Sequence, residues 1–191
     1  MVAVHPPLVE YVTQERAEQL RREERFADDP AGMATAWRRN TASWADTVAR
    51  ARRLTEAPLH ERVDGEWSFV ETLRHLVFVT DGWMGDVVEE APSPYHPWGL
   101  PPSFLAAEGG ALGLDADADP SLDEVVEVRA ERIAHVERAL RGLTAEDLAR
   151  RCAPRDGRFT VAGALQTVLF EEWAHQQYAT RDLARLEGER G

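Results

Sequence analysis

Apolar residues along this chain recur at helical spacing, and no segment alternates apolar and polar residues long enough to make a convincing strand. Residues 8 to about 26 (LVEYVTQERAEQLRREERF) read as a short, highly charged helix or arm, closed by Asp28, Asp29 and Pro30. A longer helix follows over about 32–56, with Met33, Trp37, Trp44, Val48 and Leu54 near helical spacing and Arg38, Arg39, Asp46 and Arg50 on the other face. Ser68-Phe69-Val70-Glu71 is a capping box, in which the serine caps the amide three residues on and the glutamate returns to the serine amide. It predicts a second helix running to about Glu90, stopped by Pro92 and Pro94. A second box, Ser121-Leu122-Asp123-Glu124, opens a third helix to about Arg141, with Val126, Arg129, Ile133, Val136 and Leu140 on one stripe. Gly142 ends it, Thr144 starts a short helical turn, and Thr160 caps a last long helix over about 161–187.

Between the second and third helices, residues 91–120 contain six prolines and four glycines. Antiparallel helix neighbours are usually joined by ~2–8 residues. This connection is too long for a hairpin, so it is expected to cross over the helices and cover part of one end, with Tyr95, His96, Trp98 and Phe104 giving it apolar surface to pack. The predicted fold is all-α: a four-helix bundle with one long crossover between helices two and three. Residues 1–30 are expected to form an N-terminal helical arm packed on the bundle, and 31–191 a single domain.

Composition narrows the function classes. The formal net charge of −12 argues against nucleic acid, whose phosphates require a basic surface. No apolar run approaches the ~20 residues of a membrane helix. The opening MVAVHPPLVEYVTQE lacks the charged and apolar regions of a secretory signal, so a cytoplasmic location is expected. The single cysteine, Cys152, excludes an internal disulfide framework and a CxxC zinc site. All 22 basic residues are arginine, Ile133 is the only isoleucine and Asn40 the only asparagine. The missing types share A/T-rich codons, so the simplest reading of the arginine excess is a GC-rich bacterial genome rather than arginine chemistry.

The last helix carries the candidate chemistry. One inward stripe reads Val161, Ala164, Val168, Glu171, His175 and Tyr178; another reads Leu165, Leu169, Glu172, Gln176, Ala179, Leu183 and Leu186. A carboxylate on such a face is costly unless it is paired or ligates a metal. Glu171 and His175, four apart, lie one above the other and can share a metal; the plainer reading is a surface Glu–His contact. Glu131 and His135 repeat that spacing in the third helix, but among Arg132, Glu137 and Arg138 and off the apolar stripe, which marks a solvated face. On the second helix His75 sits among Leu73, Leu76 and Val77. Alone it would be a core histidine; beside a second inward polar cluster it becomes a ligand candidate. Two histidines and one carboxylate make an open site for zinc, the first candidate, and also accept nickel, iron or manganese.

Asp64-Gly65-Glu66-Trp67-Ser68 followed by Glu71-Thr72-Leu73 and His75-Leu76 resembles the second-helix signature of the DinB superfamily. Glu171-Glu172-Trp173-Ala174-His175, with Tyr178 and Arg181-Asp182-Leu183, resembles its last-helix signature. The resemblance covers about Trp37 to Glu187 and implies the same bundle with the same crossover. Many such proteins use three histidines; here Glu171 stands in the place of one, similar to the metal-binding domain of mycothiol-dependent maleylpyruvate isomerase and related thiol S-transferases. The resemblance implies His75, Glu171 and His175 as ligands of a divalent metal. It implies a low-molecular-weight thiol, mycothiol or bacillithiol, as cosubstrate, with a small electrophile as acceptor. A metal suits that role because it stabilises thiolate at neutral pH. The isomerase carries a further C-terminal domain, so its own reaction is not carried over.

Arg129 and Tyr178 are further catalytic candidates: Arg129 to orient a carboxylate, or equally to pair with Glu171 or Glu172; Tyr178 to donate to a bound oxygen, or to pack in the core. Gln176 and Glu172 are candidates to hold an imidazole N–H. Cys152 reads as incidental, and Gly109-Gly110 lacks the lysine of a phosphate loop. Two functions follow as expectations: a metal-dependent thiol S-transferase serving detoxification, or a non-catalytic metal-binding, stress-related bundle. A homodimer using the arm at 8–26 is a further candidate.

Overall fold

The computed structural model describes residues 29–153 and 158–188. These are all-helical, and among them the only β-type pairing is an isolated antiparallel bridge between Arg151 and Thr160. The expected arm lies outside the described residues except for Asp29 and Pro30, which open the first helix. Helix α1 is Pro30–Ala51, and Asp29 caps it by accepting from the Gly32 amide at 2.9 Å. An aspartate N-cap followed by proline in the first helical turn is a start signal, because proline supplies a preset φ where no amide partner is required. The helix ends at Ala51, short of the expected 56, and a single turn, α2 (Glu56–Leu59), follows. Leu54 leaves the helix but still packs on the core.

Helix α3 (Phe69–Thr80) begins at the expected capping box: Ser68 Oγ accepts from the Glu71 amide at 3.1 Å and the Glu71 carboxylate accepts from the Ser68 amide at 2.9 Å. Its continuation, Asp81–Val88, winds as a π-helix. The crossover approaches this stretch closely. A Cβ on Gly85 would lie 2.5 Å from Pro94 Cβ, so only glycine fits there. The crossover contains 3₁₀ turns over Ser103–Leu112, closed by Gly113 at φ +78°. Tyr95 stacks on Phe78 at 5.3 Å between ring centroids, whereas Phe104 stays 44% exposed. Helix α4 (Leu122–Leu140) opens at the second capping box, α5 is Ala145–Ala149, and α6 is Val161–Gly188, with Thr160 Oγ1 accepting from the Gly163 amide at 3.1 Å.

The long helices pack as α1 on α6 and α4, and α3 on α4 and α6. Two polar side chains fix α1 against α6: Asn40 Nδ2 donates to the Leu169 carbonyl and Trp44 Nε1 to the Glu172 carbonyl, both at 2.9 Å. The core divides into two apolar clusters. One gathers Met33, Trp37, Met84, Leu165, Val168 and Leu169; the other gathers Trp44, Leu73, Leu76, Val125, Ala179 and Leu183. Each fully buried large side chain contributes roughly 1.5–3 kcal/mol. Along α6 the first cluster stops at Leu169 and the second resumes at Ala179, and Glu171 and His175 occupy the interval between them.

Candidate metal centre

One helical turn separates Glu171 and His175 on α6, and α3 brings His75 to the same point. Glu171 Oε2 lies 3.1 Å from His175 Nε2 and 3.7 Å from His75 Nε2. One donor atom from each of the three residues lies within 4.8 Å of the others. His75 and Glu171 are buried, at 4% and 7% exposure, while the His175 side chain keeps 16%. The imidazoles face each other edge-on, with centroids 4.8 Å apart at 62°. The Trp67 indole walls the cluster, 4.4 Å from the His75 ring and 5.8 Å from that of His175.

The remaining nitrogen of His75 decides which atom is offered. His75 Nδ1 lies 2.9 Å from the Leu100 carbonyl. A carbonyl can only accept, so a neutral imidazole places its proton on Nδ1 and leaves the Nε2 lone pair facing Glu171. Burial pushes the His75 pKa below its ordinary value, which keeps the ring neutral. Burial alone would raise the Glu171 carboxyl, but the His175 and His75 rings facing it outweigh that and hold it at about 2. The cluster therefore offers a neutral nitrogen and a carboxylate at neutral pH, with one ring tautomer fixed by a backbone acceptor. This donor set could hold a metal ion.

A model of the DinB superfamily matches residues 39–179. The chain belongs to the DinB superfamily. No curated protein and no solved structure matches it. The match spans His75, Glu171 and His175, and also Arg129 and Tyr178.

Arg129 of this DinB-superfamily chain is bonded to Glu172, not Glu171. Its Nη2 donates to Glu172 Oε2 at 2.9 Å and Nη1 to Oε1 at 3.2 Å, with both residues buried. The guanidinium also lies 5.3 Å over the Trp44 ring. Tyr178 does not pack in the core: it is 49% exposed, edge-on to His175 at 6.0 Å, with the Arg181 guanidinium 5.4 Å over its ring. Gln176 donates to the Thr47 and Thr180 hydroxyls at 3.0 Å and Glu172 accepts from Arg129, so among the described residues neither is bonded to an imidazole. The Glu131–His135 repeat is pulled apart: Glu131 binds Arg132, and His135 Nε2 meets Glu89 at 2.6 Å. Sequence reasoning missed Leu100 and Trp67. A backbone acceptor leaves no mark in the sequence, whereas Trp67 stands directly before the Ser68 cap as an aromatic at the start of α3, and only its contact with the two imidazoles was out of sight.

Proposed function

We propose that His75, Glu171 and His175 hold a divalent metal, zinc before nickel, iron or manganese, within a four-helix bundle, and that the site activates a low-molecular-weight thiol of mycothiol type for S-transfer to a small electrophile. The observation that carries the metal assignment is the convergence of three donor atoms with the Leu100 carbonyl on the far nitrogen of His75. When bound, the metal supplies thiolate stabilisation at neutral pH, which removes the need for a separate general base. The chain's own part is to hold the two imidazoles and the carboxylate in register across α3 and α6, and to wall them with Trp67 on the crowded side. His175 and Tyr178 lie toward solvent, and a small molecule reaches the centre from there.

A second reading has its own support. Arg129 is committed to Glu172, so a substrate carboxylate finds no ready partner there, and this favours a metal-binding protein without catalysis. The experiment that tests the assignment is metal analysis of purified protein, with cobalt substitution to report the ligand field. His175→Ala is expected to lose the metal, and Glu131→Ala to keep it. A thiol added to the cobalt form that changes the spectrum and speeds conjugation of an electrophile supports the transferase reading. Bound metal with no thiol response leaves the binding protein.

A further inference from the structure

Arg74 directly precedes His75 on α3 and is buried, at 6% exposure, yet no carboxylate is bonded to it among the described residues. A buried charge is costly unless its donors are satisfied. Here they are satisfied by one segment only, the crossover: Nε donates to the Trp98 carbonyl at 3.0 Å, Nη2 to Asp115 at 3.1 Å and Nη1 to Ala118 at 2.5 Å. The main chain completes the attachment. The Leu100 amide donates to the Arg74 carbonyl at 3.1 Å, and the Asp115 amide to Pro97 at 2.8 Å, so the outgoing and returning halves of the crossover are tied together. The carbonyl that meets His75 Nδ1 belongs to Leu100, two residues after Trp98 in this clamped stretch.

We propose that Arg74 is a positioning residue for His75: by clamping the crossover it keeps the Leu100 carbonyl on Nδ1, and so couples the conformation of residues 96–118 to occupancy of the metal site. The inference rests on His75 being a metal ligand. With the carbonyl in place, the imidazole offers Nε2 in one orientation. With the clamp released, the ring turns and exchanges tautomers, and the bound geometry must be selected at each binding event. Loss of such an outer partner lowers metal affinity roughly 10–100-fold. Coupling is reciprocal, so an occupied site must in turn hold the crossover in place.

The test uses the full chain with zinc as the probe. Three measurements apply: zinc affinity against a competing chelator, the ¹⁵N imidazole spectrum of His75 without metal, and amide exchange over residues 96–118 with and without zinc. In the wild type, zinc should slow exchange of the Leu100 and Asp115 amides. Arg74→Met should bind zinc roughly 10–100-fold more weakly and show His75 as a mixture of tautomers; Arg74→Lys, which keeps the charge and a single donor nitrogen, should recover part of both. A tautomer shift in protein that retains its helical spectrum is not explained by loss of fold. Folded variants that bind zinc like the wild type and keep His75 as the Nδ1–H form would overturn the proposal. If Arg74→Met does not fold, the wild-type exchange measurement decides, and unchanged exchange on adding zinc refutes the coupling. Failure of the wild type to bind zinc removes the metal assignment and this inference together; zinc binding abolished by His175→Ala but untouched in both Arg74 variants removes the inference alone.

Discussion

Replacing Arg129 by methionine should cost this protein a large part of its stability, and the reason lies in what remains. Arg129 and Glu172 are 4% and 3% exposed, and the guanidinium makes a two-pronged contact with both carboxylate oxygens. Methionine fills most of the volume, so the packing term is small. What is left is a carboxylate with no counter-charge, in a region closed by Trp44, whose indole N–H is already given to the Glu172 carbonyl. Breaking a buried pair from one side costs about 3–5 kcal/mol. For a chain of this length each kcal/mol moves the melting temperature by ~2–4 °C, so Arg129→Met should melt roughly 6–20 °C lower. The double variant Arg129→Met/Glu172→Leu removes both charges, and replacing a whole buried pair by apolar groups is often neutral or better. It should therefore regain most of the loss. Urea titrations of wild type, the two single variants and the double variant close the cycle. A single variant within about 1 kcal/mol of wild type, or a double variant no better than Arg129→Met, would refute the argument that the pair is a closed structural unit.

Three further outcomes follow from the same geometry. Metal-free protein should lose stability as pH falls below about 6.5, the ordinary histidine value, because burial holds His75 neutral in the fold and the unfolded chain takes up that proton first. A second loss should set in below 4.5, where the unfolded glutamate protonates while folded Glu171, held at about 2, does not; Glu171→Gln should flatten this second limb in urea titrations run from pH 7 to 3. Gly85→Ala should destabilise by about 1–3 kcal/mol, since its Cβ would meet the rigid Pro94 ring at 2.5 Å, whereas Gly110→Ala, with nothing within 4 Å, should be neutral or slightly stabilising.

The parts of this fold written in local chemistry were legible in the sequence. Ser68 with Glu71, and Ser121 with Glu124, form reciprocal caps because the residues that satisfy the end of a helix sit three positions apart in the chain. His75, Glu171 and His175 were legible for a related reason: they are polar residues at positions whose period faces the core, and burial demands that they find one another. That Asp29-Pro30 also starts the first helix, ahead of the expected position 32, was not read, because a pair that can end one segment can equally start the next, and the capping bond to the Gly32 amide shows that it does so here. Tyr178 was misplaced by extending the α6 stripe one turn too far, past the interval where the helix stops being enclosed on that side. The Leu100 contact was out of reach because it depends on how a proline-rich crossover returns over α3. That path is set by Arg74 and by backbone bonds between residues 97 and 115, none of which follows from periodicity.

The arginines also limit what the centre can take. Arg74 is spent on the carbonyls of the crossover, Arg129 on Glu172, and Arg181 on Glu66 and Asp182. An anionic group arriving beside His175 would have to displace one of these partners. For Arg129 that exchange leaves Glu172 buried and unpaired, at the same several kcal/mol that the single variant incurs. Arg181 is the cheaper one to recruit, because its side chain is 38% exposed and its ion pairs are partly solvated. The overall charge of −12 adds a long-range repulsion of anions, which salt screens within about a Debye length. On the proposed function, a ligand entering past Tyr178 would therefore be better matched when its thiol or other metal-seeking atom is carried on a neutral frame, with Arg181 the least costly arginine to draw from its partners toward any charge it brings.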